Sequence, residues 1–97
     1  MAKFLTLYRF QRPVKGGGPE RFQRFRALME KEGGQMLAFH GLLGAYDVMV
    51  LAEYPDVRAA AKGAAAVGNL ITAESTTLPA LEQDDFLRLL KELNEEG

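Results

Sequence analysis

The chain is 97 residues long with a formal net charge of -1, which allows one domain with a single two-layer core and excludes the global positive field that nucleic acid or an anionic membrane would call for. It contains no cysteine, so disulfides, thiolate metal sites and cysteine nucleophiles are excluded. One domain over residues 1–97 is expected. Met1-Ala2-Lys3 leads straight into a strand-like run with no signal-peptide pattern, and no apolar run reaches the length of a membrane span, so a cytoplasmic protein without membrane contact is the expectation.

From Phe4 to Phe10 the two alternating sets, Phe4, Thr6, Tyr8, Phe10 and Leu5, Leu7, Arg9, are both largely apolar, which predicts a strand covered on both faces. Gln11 to Gly18 carries Pro13 and Gly16-Gly17-Gly18 and reads as a loop. Pro19 suits a first helical position. A helix is predicted from there to about Glu32, with Phe22, Phe25, Leu28 and Met29 on one side and Gly33-Gly34 as its left-handed stop. Gln35 to Leu43 and Tyr46 to Tyr54 follow as strands, joined by a two-residue Gly44-Ala45 turn of type II′.

Pro55-Asp56 ends that strand, and Asp56 is the expected N-cap of a second helix over Val57 to Val67. Its alanines let the backbone lie close to what it covers, and Gly63 points to a particularly close approach. Gly68-Asn69 should end it. Leu70 to Leu78 reads as a polar, threonine-rich edge strand closed by Pro79, and Gln83 to Glu95 as a third helix with Phe86, Leu89, Leu90 and Leu93 on one side.

The order β-α-β-β-α-β with a C-terminal helix is the ferredoxin-like split pattern, an α+β sandwich. Right-handed crossovers place the first and third strands in the centre and both crossover helices on one face. The other face is then bare, although its side chains are apolar. A second copy is the simplest cover, so a homodimer packed sheet against sheet is expected.

The Gly44-Ala45-Tyr46-Asp47 hairpin, preceded by the Gly33-Gly34 stop and followed by Pro55-Asp56, resembles the GYD-domain family of small bacterial and archaeal proteins. Leu78-Pro79-Ala80-Leu81 running into Asp85-Phe86 is similar to that family's C-terminal pattern. The resemblance covers nearly the whole chain. It implies the dimeric α/β-barrel group of ferredoxin-like folds, whose relatives include cofactor-independent monooxygenases, isomerases, haem-degrading or dye-decolourising proteins and amino-acid-sensing domains. The family has no established activity to carry over, and fold analogy alone does not choose among these. The long basic triple-glycine loop departs from the family pattern.

A turn at Gly44-Ala45 pairs Leu43 with Tyr46, Leu42 with Asp47, His40 with Met49 and Phe39 with Val50. One face then carries Leu37, Phe39, Leu43, Tyr46, Val48, Val50 and Ala52 and is assigned to the core. The other carries Met36, Ala38, His40, Leu42, Asp47, Met49, Leu51 and Glu53, as suits a partner-facing or cavity-lining surface. On it His40 and Asp47 stand at a diagonal, about 7–8 Å between Cα atoms. They form the candidate catalytic pair, a base and its orienter. A lone histidine near one carboxylate is, however, more often a structural or interface residue. Tyr46 and Met49 are candidate ligand contacts, although a tyrosine beside a turn more commonly packs its ring.

Lys15-Gly16-Gly17-Gly18-Pro19, with Arg9, Arg12 and Arg21 near, lacks the spacing of a phosphate loop and reads as a solvated loop. One histidine and scattered carboxylates give no metal-ligand spacing, so neither metal nor cofactor is expected. No nucleic-acid surface is expected either. Basic residues crowd before Gly34 and acidic ones after Leu81, so the last helix is expected to dock on basic surface of its own chain or of a partner. Three functions fit. The leading one is a homodimer binding a small, partly apolar molecule; the others are a cofactor-independent enzyme acting on an activated carbonyl or phenolic compound through His40 and Asp47, and a purely structural or regulatory dimer.

Overall fold

Strand β1 (Ala2–Phe10) lies between β3 (Val48–Tyr54) and β4 (Ala73–Ala80), and β2 (Gln35–Gly41) completes a four-stranded antiparallel sheet in the order β2-β3-β1-β4. This is a computed structural model, and it describes residues 1–12 and 18–96; Lys15-Gly16-Gly17 of the basic loop fall outside the described residues. Helices α1 (Gly18–Lys31) and α2 (Val57–Ile71) pack on one face and on each other, and α3 (Gln83–Glu96) follows β4. The β-α-β-β-α-β-α order, with the first and third strands central, is the ferredoxin-like α+β arrangement expected. None of the described helices is long and apolar enough to cross a membrane.

The pleat sorts the side chains of β1 and β3. Phe4, Thr6 and Tyr8 with Val48, Val50, Ala52 and Tyr54 are buried under the helices, where Phe25 and Met29 of α1 and Ala60, Ala64 and Val67 of α2 meet them. Lys3, Leu5 and Leu7 with Met49, Leu51 and Glu53 take the opposite face and are only half-buried. Among the described residues no helix packs over them.

The caps explain where α1 and α2 start and stop. The backbone of Gly33 is left-handed (φ 81°), its N–H donates to Glu30 O at 2.9 Å, and that of Gly34 donates to Met29 O at 2.9 Å, a Schellman stop for α1. Asp56 Oδ1 accepts the Ala59 N–H at 2.8 Å, as an N-cap should. At its other end α2 passes through Gly68-Asn69, where a stop was expected, and terminates at Thr72 in the left-handed region (φ 53°). Tertiary packing overrides glycine propensity here: Val67 is fully buried, and Leu70 and Ile71 pack against the core. Consequently β4 begins at Ala73 rather than Leu70. It also continues through Pro79, which an edge strand tolerates because one row of its N–H groups has no ladder partner.

Gly63 and Gly34 both serve Tyr54. A Cβ on Gly63 would lie 2.5 Å from the Tyr54 hydroxyl oxygen, and one on Gly34 2.4 Å from the Tyr54 ring, so two glycines form the notch that holds this ring. Tyr54 in turn meets Phe4 edge-to-face at 6.2 Å. The close approach read from Gly63 is therefore to a tyrosine ring.

Burial pushes the Tyr8 hydroxyl up from its ordinary value near 10, with Tyr54 adding to the shift; Tyr54 is raised by burial and then by the Glu32 carboxylate. Both folded values exceed the unfolded ones, so stability is complete below about pH 10 and falls as pH rises through the raised folded values. Thermal melts should show the midpoint dropping above about pH 10, and Tyr8→Phe should flatten that slope. Gly63→Ala should gain about 1 kcal/mol of helix propensity yet lose about 1–3 kcal/mol net through overpacking. Urea unfolding of Gly63→Ala combined with Tyr54→Phe checks the cause, because removing the hydroxyl should restore much of the loss.

Candidate functional site

The register between β2 and β3 places His40 opposite Met49 and Phe39 opposite Val50, as the sequence leads one to expect. The connection itself differs. The strands stop at Gly41 and Val48, leaving a six-residue loop closed by the Leu42 N–H donating to Asp47 O at 2.8 Å, rather than a two-residue Gly44-Ala45 turn. The reason is that Asp47 is engaged by β1. Its N–H donates to Tyr8 O at 2.8 Å, and its Oδ2 accepts the Phe10 N–H at 2.8 Å. Leu43 is thereby thrown into solvent, and Tyr46 sits under the Arg9 guanidinium, 5.6 Å from its ring centroid, instead of in the core.

A bulge between Met36 and Ala38 changes the faces at the other end of β2. Leu37 is the extra residue and is exposed, while Met36 moves opposite Ala52 and packs against the core. The two residues thus exchange the faces that strict alternation would give them.

Of the candidate site residues, His40 is exposed on the uncovered face and Met49, half-buried, is its cross-strand neighbour. Asp47 and Tyr46 lie at the loop, tied to Phe10 and stacked by Arg9 respectively. Among the described residues no hydrogen bond or ion pair joins His40 to Asp47. No group of three metal-ligating side chains occurs among them either.

On the opposite, helix-covered face the same end of the sheet opens into a cavity of about 300 Å³. Phe22 and Phe25 from α1, Phe39 from β2, Val48 from β3, Phe10 from β1 and Ile71 from α2 line it, with Gly18 and Arg21. Phe39 stands edge-on to both helix rings, 5.0 Å from Phe22 and 5.6 Å from Phe25 between centroids. The wall is therefore aromatic, and Arg21 is its one charged lining residue among those described. None of His40, Asp47, Tyr46 or Met49 lines it, yet their neighbours do: Asp47 fastens Phe10, precedes Val48, and His40 follows Phe39. Sequence periodicity marks Phe22, Phe25 and Phe39 as core. Nothing in that spacing distinguishes rings that fill a core from rings that wall a cavity.

The sequence model of the GYD domain matches residues 10–90. The chain belongs to the GYD-domain family. Every residue lining the cavity of this GYD domain lies inside the matched span, as do the Tyr46-Asp47 loop and the first half of α3. Among curated proteins no relative matches.

If Asp47 chiefly anchors β1, Asp47→Ala should cost about 1–3 kcal/mol by leaving the Phe10 N–H without its acceptor. Asp47→Asn, which keeps an acceptor oxygen, should cost less, and His40→Ala should barely change stability. Denaturant unfolding of the three variants gives the comparison.

Proposed function

We propose that this GYD domain is a homodimeric protein that binds a small, largely apolar molecule in the Phe22–Phe25–Phe39 cavity. The observation that carries this reading is the cavity itself. A recess of about 300 Å³ open on one side and walled by aromatic rings is at the lower end of ligand pockets, roughly 300–1,000 Å³. Apolar walls supply affinity through burial, and the edges and faces of three rings select flat or slender molecules.

The dimeric part of the reading is supported by the uncovered sheet face. Ala38, Leu51, Leu5 and Leu78 form one row across all four strands, and Met49 and Leu7 continue the apolar surface in the next. A contiguous apolar area of this kind marks an association surface. In this arrangement His40 and Met49 belong to the seam between copies, and Asp47 holds the end of β1 that shapes the cavity. The enzymatic alternative, with His40 accepting a proton from a carbonyl or phenolic compound and Asp47 orienting it, draws support from their shared end of the sheet. It ranks second because the Asp47 carboxylate already serves the Phe10 N–H.

Indole is a suitable neutral probe. In an NMR titration it should shift the resonances of Phe22, Phe25, Phe39 and Val48, and Val48→Phe, which fills the cavity, should weaken binding by about tenfold or more, equivalent to ~1.4 kcal/mol. Shifts elsewhere, or binding unchanged in Val48→Phe, would remove the cavity from consideration. Light scattering across dilution tests the dimer, which fails if one chain's mass is found throughout.

A further inference from the structure

We propose that α3 is an arm that packs its apolar side on the uncovered sheet face of a second copy of the chain. The proposal rests on the reading above that a second copy covers this face, and it makes that copy's α3, rather than its sheet, the element that lies on the Leu5, Leu51 and Leu78 row. Phe86, Leu89, Leu90 and Leu93, spaced i, i+3, i+4 and i+7, are between 40% and 57% exposed. Among the described residues α3 packs on no strand or other helix of its own chain. A helix of 14 residues standing alone in water is marginal, and an amphipathic one is normally held by what covers its stripe.

Its polar side carries two ion pairs within the helix. Arg88 pairs with Asp85 at 3.6 Å and Lys91 with Glu95 at 4.0 Å. The apolar side is what remains to be covered.

The base of α3 fixes the direction. Lys3 lies on the uncovered face opposite Glu53 and Ala80, and its ammonium pairs with Glu82, the residue just before the helix. Asp85, in the first turn, lines a cleft with Lys3 and Glu53. The helix is therefore anchored at the rim of the uncovered face, and the molecule is 53 Å long but only 30 Å and 18 Å across. Its first turn thus lies beside the face that a second copy would cover.

The dimensions agree. Fourteen residues make a helix about 21 Å long, and the strands that would receive it, seven to nine residues each, extend about 23–30 Å. The Leu5, Leu51 and Leu78 row meets a stripe of the same chemistry, and two-fold symmetry lets each copy give one helix and receive one. A membrane surface fits less well. Over Gln83–Glu96 there are five carboxylates against two cations, whereas interfacial helices carry Lys and Arg on the polar face.

The cysteine-free chain makes the test direct. Full-length Glu92→Cys carrying a nitroxide is mixed with wild-type chain bearing ¹³C-labelled leucine methyls. Broadening of the Leu5, Leu7 and Leu51 methyls in the unmodified copy is expected. In parallel, Leu89→Asp with Leu93→Asp should raise the dimer dissociation constant at least about tenfold, a ~1.4 kcal/mol loss, while near-ultraviolet circular dichroism stays unchanged. If the sheet signal is lost in that variant, the labelling result alone decides. Unbroadened methyls in a dimer that the double variant leaves intact would overturn the arm and leave face-to-face pairing standing. A single-chain mass at every dilution would overturn both, as would a monomer that binds anionic vesicles through α3.

Discussion

Two helices cannot cover both faces of a four-stranded sheet, and in this chain both faces are apolar. The pleat of β1 sends Phe4, Thr6 and Tyr8 under the helices and Leu5 and Leu7 away from them. Everything else follows from how each side is treated. The helix side is closed by side chains that interlock, except at the end where α1 begins. Among the described residues nothing of the chain closes the other side. The features on which the proposed function rests, an aromatic cavity and an unfilled surface, are the two places where a single copy leaves its apolar groups incompletely packed.

On the closed side the decisive contact is a ring in a notch. Gly34 ends α1, Gly63 lies mid-α2, and Tyr54 ends β3, so one tyrosine joins both helices to the sheet with backbone atoms as walls. Such a contact tolerates no added methyl group, because interiors transmit small volume changes instead of absorbing them. The cavity lies at the opposite end of β3, beside Val48. The core is thus tight at one end of the sheet and open at the other, and the open end lies within the part of the chain that the family shares.

Much of the fold was legible because its signals are local and strong. The short apolar, β-branched and aromatic run Phe4–Phe10, the Gly33-Gly34 stop and the Asp56 cap each specify one structure, and the element order then leaves few topologies. The differences arise where a distant contact decides. Nothing near Gly68 announces that Val67 and Ile71 will be held in the core, so the helix end is misplaced. The hairpin register is right, but the turn is wider because Asp47 bonds to Phe10, 37 positions away. Leu37 offers no sign of a bulge. The candidate site is legible as a place and not as a set of contacts: the residues that attract attention by their chemistry lie at the same end of the sheet as the cavity, whereas the cavity itself is walled by phenylalanines whose spacing reads as ordinary core.

The Leu37 bulge has a further consequence, together with Pro79 on the far strand. β2 and β4 are the two edges of the sheet. A bulge interrupts the hydrogen-bonding row that β2 would offer to a stranger, and a proline removes a donor from β4. Both borders are therefore poor templates for another strand, and growth by edge-to-edge addition, which has no natural end, is discouraged. That leaves the broad face as the surface on which the proposed pairing of two copies would be closed and finite.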